Sequence, residues 1–541
     1  MMINSKNRKN LSYPYETTRD LNNTIIAKGL FNEVVQWINE KNEDLQLHII
    51  PDNVVNIEIE LSNSKNYTEE SEKNFYFRSG ELLALLYILN IKNIKAEHIL
   101  ASGEYPIITS KIEFETNVFN QLFSASEVAN YIINNSTYNI NFLPYDKIDK
   151  AAENLKYIKK GFSLIYNISV KYKYDLMALL KTLIPNDIKL NLIAGKIQNL
   201  SFNDMKSQLF FIDKRFSKNN DYKLSIKFSK DKTNKNIEKE KLLSIVCKIG
   251  DYIIEKSIIG FKDSTLERTW IDECKKGIIK SMDNSLFCGN SGVALFLAYL
   301  GEVTDKNYFI FASHEALYPV LRAIEQEGLD TFSYLDILAV FYTILKIYNV
   351  THDIRLNCFI TNNCYMLLQF LRKNTIYYDI YNINITKEID SFDIENSVPL
   401  EKLLGQILFL EITLYNKYEN KLYIYLSSML YSKLILKSDY NDNFIIDKKI
   451  DELVKYIVSK DICSNLYKIC RDLNLINYAA KTINDSSLKN MSINTLTLII
   501  KEILDNYKSK KINLFDQQIS FKNGLAGLGY NLLNFITLSE L

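Results

Sequence analysis

Residues 287–301 read FCGNSGVALFLAYLG, and this stretch sets the fold class of the second half of the chain. Val293, Phe296, Leu297 and Leu300 recur at i, i+3, i+4 and i+7, the spacing that lines one face of a helix with apolar side chains. Gly289 and Gly292, just ahead of that face, suit a helix start where a neighbouring backbone comes close. Similar apolar patterns, each led in by a polar or glycine-containing turn, begin near 332 (FSYLDILAVFYTILKIY), 401 (EKLLGQILFLEITLY), 462 (ICSNLYKICRDLNL), 492 (SINTLTLIIKEILDNY) and 523 (NGLAGLGYNLLNFI). Recurring helical segments of this kind stack into α/α arrays. Residues 237–541 are therefore expected to form an all-α domain.

Working outward, the first half is mixed. In SGELLALLYILN the leucines 82, 85, 86 and 89 repeat the helical face, whereas LQLHII, VVNIEIEL, YPIITSKIEFE and YKLSIKFS carry strand-like alternation or β-branched enrichment, all before residue 230. Between Ser229 and Lys241 the chain reads SKDKTNKNIEKEK, a charged run suited to a linker. The expected organisation is an α+β domain over 1–236 and an all-α domain over 237–541.

A chain of 541 residues is long enough for more than one core, because single cores stop growing near about 300 residues. Its 65 basic and 64 acidic residues leave a net charge of +1, without the electrostatic footprint of a general nucleic-acid binder. No stretch has the apolar run of a signal peptide or a membrane span, so a cytoplasmic location is expected. Seven cysteines, an odd number with no CxxC pair, argue against a disulfide framework and read as buried small hydrophobes. Four histidines leave little material for multi-histidine metal chemistry.

Four segments, in order, carry a resemblance: NFYFRSGELLALLYILN with ASGEYPIIT; NNSTYNINFLP; IGDYIIEKSI and TWI leading into FCGNSGVALFLAYLG; and NGLAGLGYNLL. Together they resemble the class II lanthipeptide synthetases. These LanM-type enzymes dehydrate Ser and Thr of a precursor peptide and then add Cys thiols across the products. The resemblance implies a kinase-like dehydratase domain followed by a cyclase-like α/α toroid, here in shortened and degenerate form. It also implies structural roles for Gly103, Glu104, Gly289, Gly292, Gly524, Gly527 and Gly529.

The family's chemistry calls on specific side chains. Before the Gly-Glu-Tyr-Pro turn the family has Asp-x-His-x-x-Asn, and after it Asp-x-Glu; the corresponding positions here are Asn93, Lys95 and His98, then Ser110 and Ile112. Lys95 puts a cation where an imidazole is required, and Ser110 is a weak substitute for a carboxylate on Mg²⁺. The arginines that assist phosphate elimination have Lys189 and Lys196 in their place, point charges without a bidentate fork. In the cyclase the family holds Zn²⁺ with two Cys and one His; Cys463 takes the first place, while Lys489 and Asn490 stand at the other two. ATP, Mg²⁺ and Zn²⁺ are thus the family's cofactors, and none is expected here.

The expectation that follows is a pseudoenzyme in lanthipeptide biosynthesis, a binding or accessory subunit for a full-length synthetase or its precursor peptide. Two alternatives remain open on the sequence. One is a divergent synthetase that keeps a partial activity, peptide phosphorylation or dehydration; the other is a peptide-binding α/α-repeat protein outside lanthipeptide biosynthesis.

Overall fold

The computed structural model describes residues 18–41, 68–92, 94–108, 123–184, 187–216, 225–226, 239–273, 278–329, 332, 334–374, 462–463, 497, 500, 519–521 and 524–538. The described residues are mostly helical with a few small sheets. It divides into two compact units, one made of 1–121, 131–219 and 276–278, the other of 122–130, 220–275 and 279–541. The boundary expected at 236/237 lies outside the described residues.

The first unit is organised by α2 (Glu69–Ile88), which follows α1 (Thr18–Lys41) and precedes α3 (Ala125–Asn134) in the chain. Thr68 caps α2 by accepting from the Ser71 N–H at 3.1 Å, and Glu69, Glu70 and Glu72 place negative charge at the positive end of the helix dipole. From Leu82 to Leu89 every side chain is buried, so the helix is central rather than amphipathic. It crosses α4 (Leu155–Lys171) at backbone contact: a Cβ on Gly80 would stand 2.0 Å from the Ile158 carbonyl oxygen, and one on Gly161 would stand 1.9 Å from that of Phe77. Phe31, Val34, Val35 and Ile38 of α1 complete this core with Phe162, Ile165 and Tyr166 of α4.

Around the crossing lie the hairpin β1 (Ile99–Ser102) and β2 (Tyr105–Ile108), and helices α5 (Lys173–Leu183), α6 (Asp187–Gln198) and α7 (Phe202–Phe216). Asp204 in the first turn of α7 accepts the Tyr87 hydroxyl at 2.9 Å, the Tyr166 hydroxyl at 2.5 Å and the Gln208 amide at 3.1 Å. One carboxylate thereby ties α2, α4 and α7 together, and burial with the Asp204 charge pushes both phenols well above their usual range.

In the second unit α8 (Lys239–Glu255) is followed by two antiparallel strand pairs: β4 (Ile258–Lys262) with β5 (Thr265–Thr269), and β6 (Ile271–Glu273) with β7 (Ile279–Ser281). Strand signals had been expected only before residue 230. The β4–β5 turn is the reason: Asp263 and Ser264 both take positive φ, 50° and 62°, the twist a two-residue hairpin needs, but without the glycine that usually marks it. Trp270, fully buried between the hairpins, donates its indole N–H to the Ile253 carbonyl at 2.7 Å.

From Asn290 onward helices dominate: α9 (Asn290–Thr304), α10 (Asn307–Glu327), α11 (Tyr334–Thr351), α12 (Ile354–Asn374) and α13 (Leu525–Leu538), around a core of Phe296, Leu297, Phe309 and Phe341. The stretches from 401 and 492 fall almost wholly outside the described residues. The helix expected from Ile462 is corrected at its start, where β8 (Ile462–Cys463) pairs antiparallel with β3 (Ser225–Ile226). The burial expected of the cysteines also fails where it can be checked. Cys288 and Cys358 are exposed and Cys247 is half-buried, because they sit on the solvent side of segments whose larger apolar residues fill the core.

Candidate functional site

The segment from Lys95 to Tyr105 holds several of the positions singled out in the sequence. A short 3₁₀ turn, Ala96–His98, runs into β1, and Gly103 reverses the chain with φ +58°, in the left-handed region that an L side chain enters at a cost. Gly103 is required there by conformation alone, since a Cβ on it would meet nothing within 4 Å. The following Glu104 turns back toward α2, where Arg78 reaches its carboxylate at 2.5 Å and lies 4.0 Å from the Tyr105 ring centroid. The Arg78 hydrogen bond holds the Glu104 carboxyl below its usual range.

On the other side of β1 the Glu97 carboxylate sits between two basic groups, 3.6 Å from the Lys95 ammonium and 3.6 Å from His98 Nε2. Lys95 is 70% exposed, so this is a solvated surface cluster and contributes at most about 1 kcal/mol. Asn93, Ser110 and Ile112 lie outside the described residues. The described groups do not fit Mg²⁺: Glu97 is the sole carboxylate from 95 to 98, and two basic groups already face it.

A hollow beside Arg78, lined by Phe31, Val35, Leu82, Leu85, Tyr105 and Pro106, has free space on the scale of a water molecule rather than a nucleotide. One turn along α2, Glu81 is 1% exposed and its Oε1 has no hydrogen-bond partner. Burial pushes its pKa up to about 8, offset only in part by Arg78, so the carboxyl stays protonated at neutral pH. Neither the Arg78 clamp nor the buried Glu81 was singled out by sequence reasoning. Glu81 gave one signal, an acid directly ahead of the apolar run Leu82–Leu89 in SGELLALLYILN.

Lys196, one of the lysines singled out in the sequence, lies 3.9 Å from the Tyr87 ring centroid and donates to Asn90 Oδ1 at 3.3 Å. The side chain of Lys189 is outside the described residues. In the second unit Cys463 lies in β8, its side chain not described, and Lys489 and Asn490 are outside the described residues. Among the described residues no group of three His, Cys, Asp or Glu could hold a metal ion. His314, on α10, has its Nδ1 3.5 Å from Asp353 Oδ2 while its Nε2 is buried without a partner, and burial lowers its pKa. A single imidazole and a single carboxylate fall short of the three protein ligands of a zinc site.

The motif glycines are placed by contact. A Cβ on Gly289 would stand 2.3 Å from the Asp283 carbonyl oxygen, and one on Gly292 would stand 2.1 Å from that of Leu286. On α13, Gly527 passes so close to Phe521 that a Cβ would fall 1.7 Å from its carbonyl oxygen, while Gly529 faces the Phe296 ring of α9. Gly524 is buried just before α13, and its carbonyl accepts from the Leu528 N–H at 3.1 Å.

Among the described residues no helix is long and apolar enough to cross a membrane. No curated protein matches the chain. Residues 24–179, which contain α2 and the Gly103–Glu104 turn, match a family described as Domain of unknown function (DUF4135), a domain found in lanthipeptide synthetase (LanM) proteins.

Proposed function

We propose that this chain is a catalytically defective relative of the LanM-type lanthipeptide synthetases. It acts in the cytoplasm by binding a full-length synthetase or its precursor peptide as an accessory subunit. On this reading the first domain is a kinase-like dehydratase remnant that no longer uses ATP and Mg²⁺. The second is a cyclase-like α/α toroid without zinc.

One observation carries the proposal. At the segment that in the family positions the reacting hydroxyl and the phosphates, this chain presents an exposed Lys95–Glu97–His98 cluster in which the carboxylate already faces two basic groups. Phosphoryl transfer depends on positioning and on metal-held charge, and that cluster offers neither. The match over 24–179 supports the family setting in which such a loss has meaning.

The test is affinity capture of the tagged chain from cells that also make a full-length synthetase and its precursor. Stoichiometric recovery of either one supports the proposal. Recovery of neither contradicts it, as does phosphorylated or dehydrated precursor made by this chain alone.

A further inference from the structure

We infer that the solvent-facing seam between α4 and α7 docks an acidic, partly apolar peptide segment of a partner protein. The chain as a whole has a net charge of +1, yet from Leu155 to Phe216 there are eleven basic residues against four acidic ones, a net charge of +7. Three of those four acids do little to neutralise the surface. Asp204 is engaged by two tyrosines and Gln208, Asp213 is paired with Lys159 at 2.7 Å, and Asp175 lies 3.7 Å from Lys41.

The geometry is ordered rather than diffuse. On α7, Phe202, Lys206 and Phe210 follow one another at i, i+4 and i+8; the two rings are 63% and 44% exposed, and the Lys206 ammonium lies 4.5 Å from the Phe202 ring centroid. Along α4, Lys156, Lys160 and Lys171 share one exposed stripe. The Lys159–Asp213 pair joins the helices three residues after Lys156 and three after Phe210, so both stripes flank it. Among the described residues Lys156, Lys160, Lys171 and Lys206 form no ion pair with a carboxylate.

Charge complementarity selects the occupant. Nucleic acid is gathered by a long-range field that a chain of net charge +1 lacks, and two phenylalanines offer little apolar area to hold a lipid surface. A peptide that interleaves carboxylates with apolar side chains can meet ring, lysine and ring in turn along α7, one per helical turn of about 5.4 Å. The apolar contacts supply affinity, and the charges set register and on-rate.

This deepens the proposed binding role and rests on it for the identity of the partner, whereas the surface itself is tested with a synthetic probe. A fluorescent peptide of interleaved Glu and Leu is titrated by anisotropy against the full chain, beside a counterpart with Gln at every Glu. The Glu peptide is expected to bind at least about tenfold more tightly, and K156E/K206E to weaken it by about tenfold. F202A should also weaken it, whereas K256E, an exposed lysine over the Tyr252 ring in the second unit, should not. Unchanged melting of each variant confirms the fold.

The inference is overturned by no binding, by equal binding of the Gln peptide, or by an equal loss with K256E. It is also overturned if phosphatidylserine vesicles or a poly-uridine oligonucleotide bind more tightly through Lys156 and Lys206. If the probe binds as expected while no synthetase or precursor is captured, the docking surface stands and the accessory role falls; the reverse outcome spares the role and removes the surface.

Discussion

Arg78 on α2 and Glu104 in the hairpin turn meet at 2.5 Å, with the guanidinium stacked on the Tyr105 ring. The pair pins the Gly103 reversal to the central helix of the first unit. It therefore gives the Gly103–Glu104 turn a structural task. Arg78→Ala is expected to cost about 1–2 kcal/mol, since it removes a charge-assisted hydrogen bond, a ring contact and part of the hollow's lining. Glu104→Gln should cost less, about 0.5–1 kcal/mol. The Glu104 carboxyl is lowered in the folded state, so its contribution is present above the unfolded value and is lost as pH falls through the folded one. A double-mutant cycle by urea unfolding at pH 7 and at pH 3 checks both, and zero coupling at pH 7 would contradict the clamp.

The α2–α4 crossing leaves no room for a methyl group at Gly161, where a Cβ would lie 1.9 Å from a backbone oxygen. Gly161→Ala should destabilise the first unit by about 3 kcal/mol or more, beyond what helix propensity would return. Gly195→Ala on α6, with nothing within 4 Å, should be neutral or mildly stabilising. Comparable melting of the two variants would rule out the close crossing.

Glu81 sets a pH dependence of opposite sign to that of Glu104. Its folded pKa is raised to about 8, while the unfolded group titrates near 4.5, so the folded state holds the extra proton between those values. Stability of the first unit should therefore fall as pH rises from about 4.5 to 8 and then level off. Glu81→Met should flatten that slope and stabilise the unit at pH 8 by about 1–3 kcal/mol, since it removes a buried group that lacks a partner. Thermal melts at pH 5 and pH 8 decide it, and an equal shift at both would refute the buried-acid explanation.

In the second unit Glu267 is fully buried and takes both arms of Arg322, the second at 3.0 Å, together with the Ala125 N–H at 3.3 Å. Removing one partner leaves a buried charge, so Arg322→Met is expected to cost about 3–5 kcal/mol. The double replacement E267L/R322M should recover most of that loss. Denaturant titration of both variants reads the difference, and equal destabilisation would show that the ion pair itself matters more than the orphaned charge.

Much of the architecture could be read before the structure was known. The period of Val293, Phe296, Leu297 and Leu300 finds α9, and FSYLDILAVFYTILKIY and NGLAGLGYNLLNFI lead to α11 and α13, because apolar side chains that share a face must be buried together. The β4–β5 hairpin escaped notice because its turn uses Asp263 and Ser264 in place of glycine. At the candidate site, the residue types at Lys95, Glu97 and His98 could be read from the sequence, and their grouping on the surface could not. Nor could the Arg78–Glu104 clamp, since it joins residues 26 apart through a turn geometry that periodicity does not encode. The basic seam was hidden by averaging: a net charge of +1 over 541 residues conceals +7 over four consecutive helices.

The central claim, an accessory subunit without catalysis of its own, is tested most directly by mass spectrometry of a precursor peptide. It would be co-expressed with this chain, with a full-length synthetase, and with both. The expected result is unmodified precursor with this chain alone, and more dehydrated product with both proteins than with the synthetase alone. Dehydrated or phosphorylated precursor from this chain alone, or no difference between the synthetase with and without it, would contradict the claim.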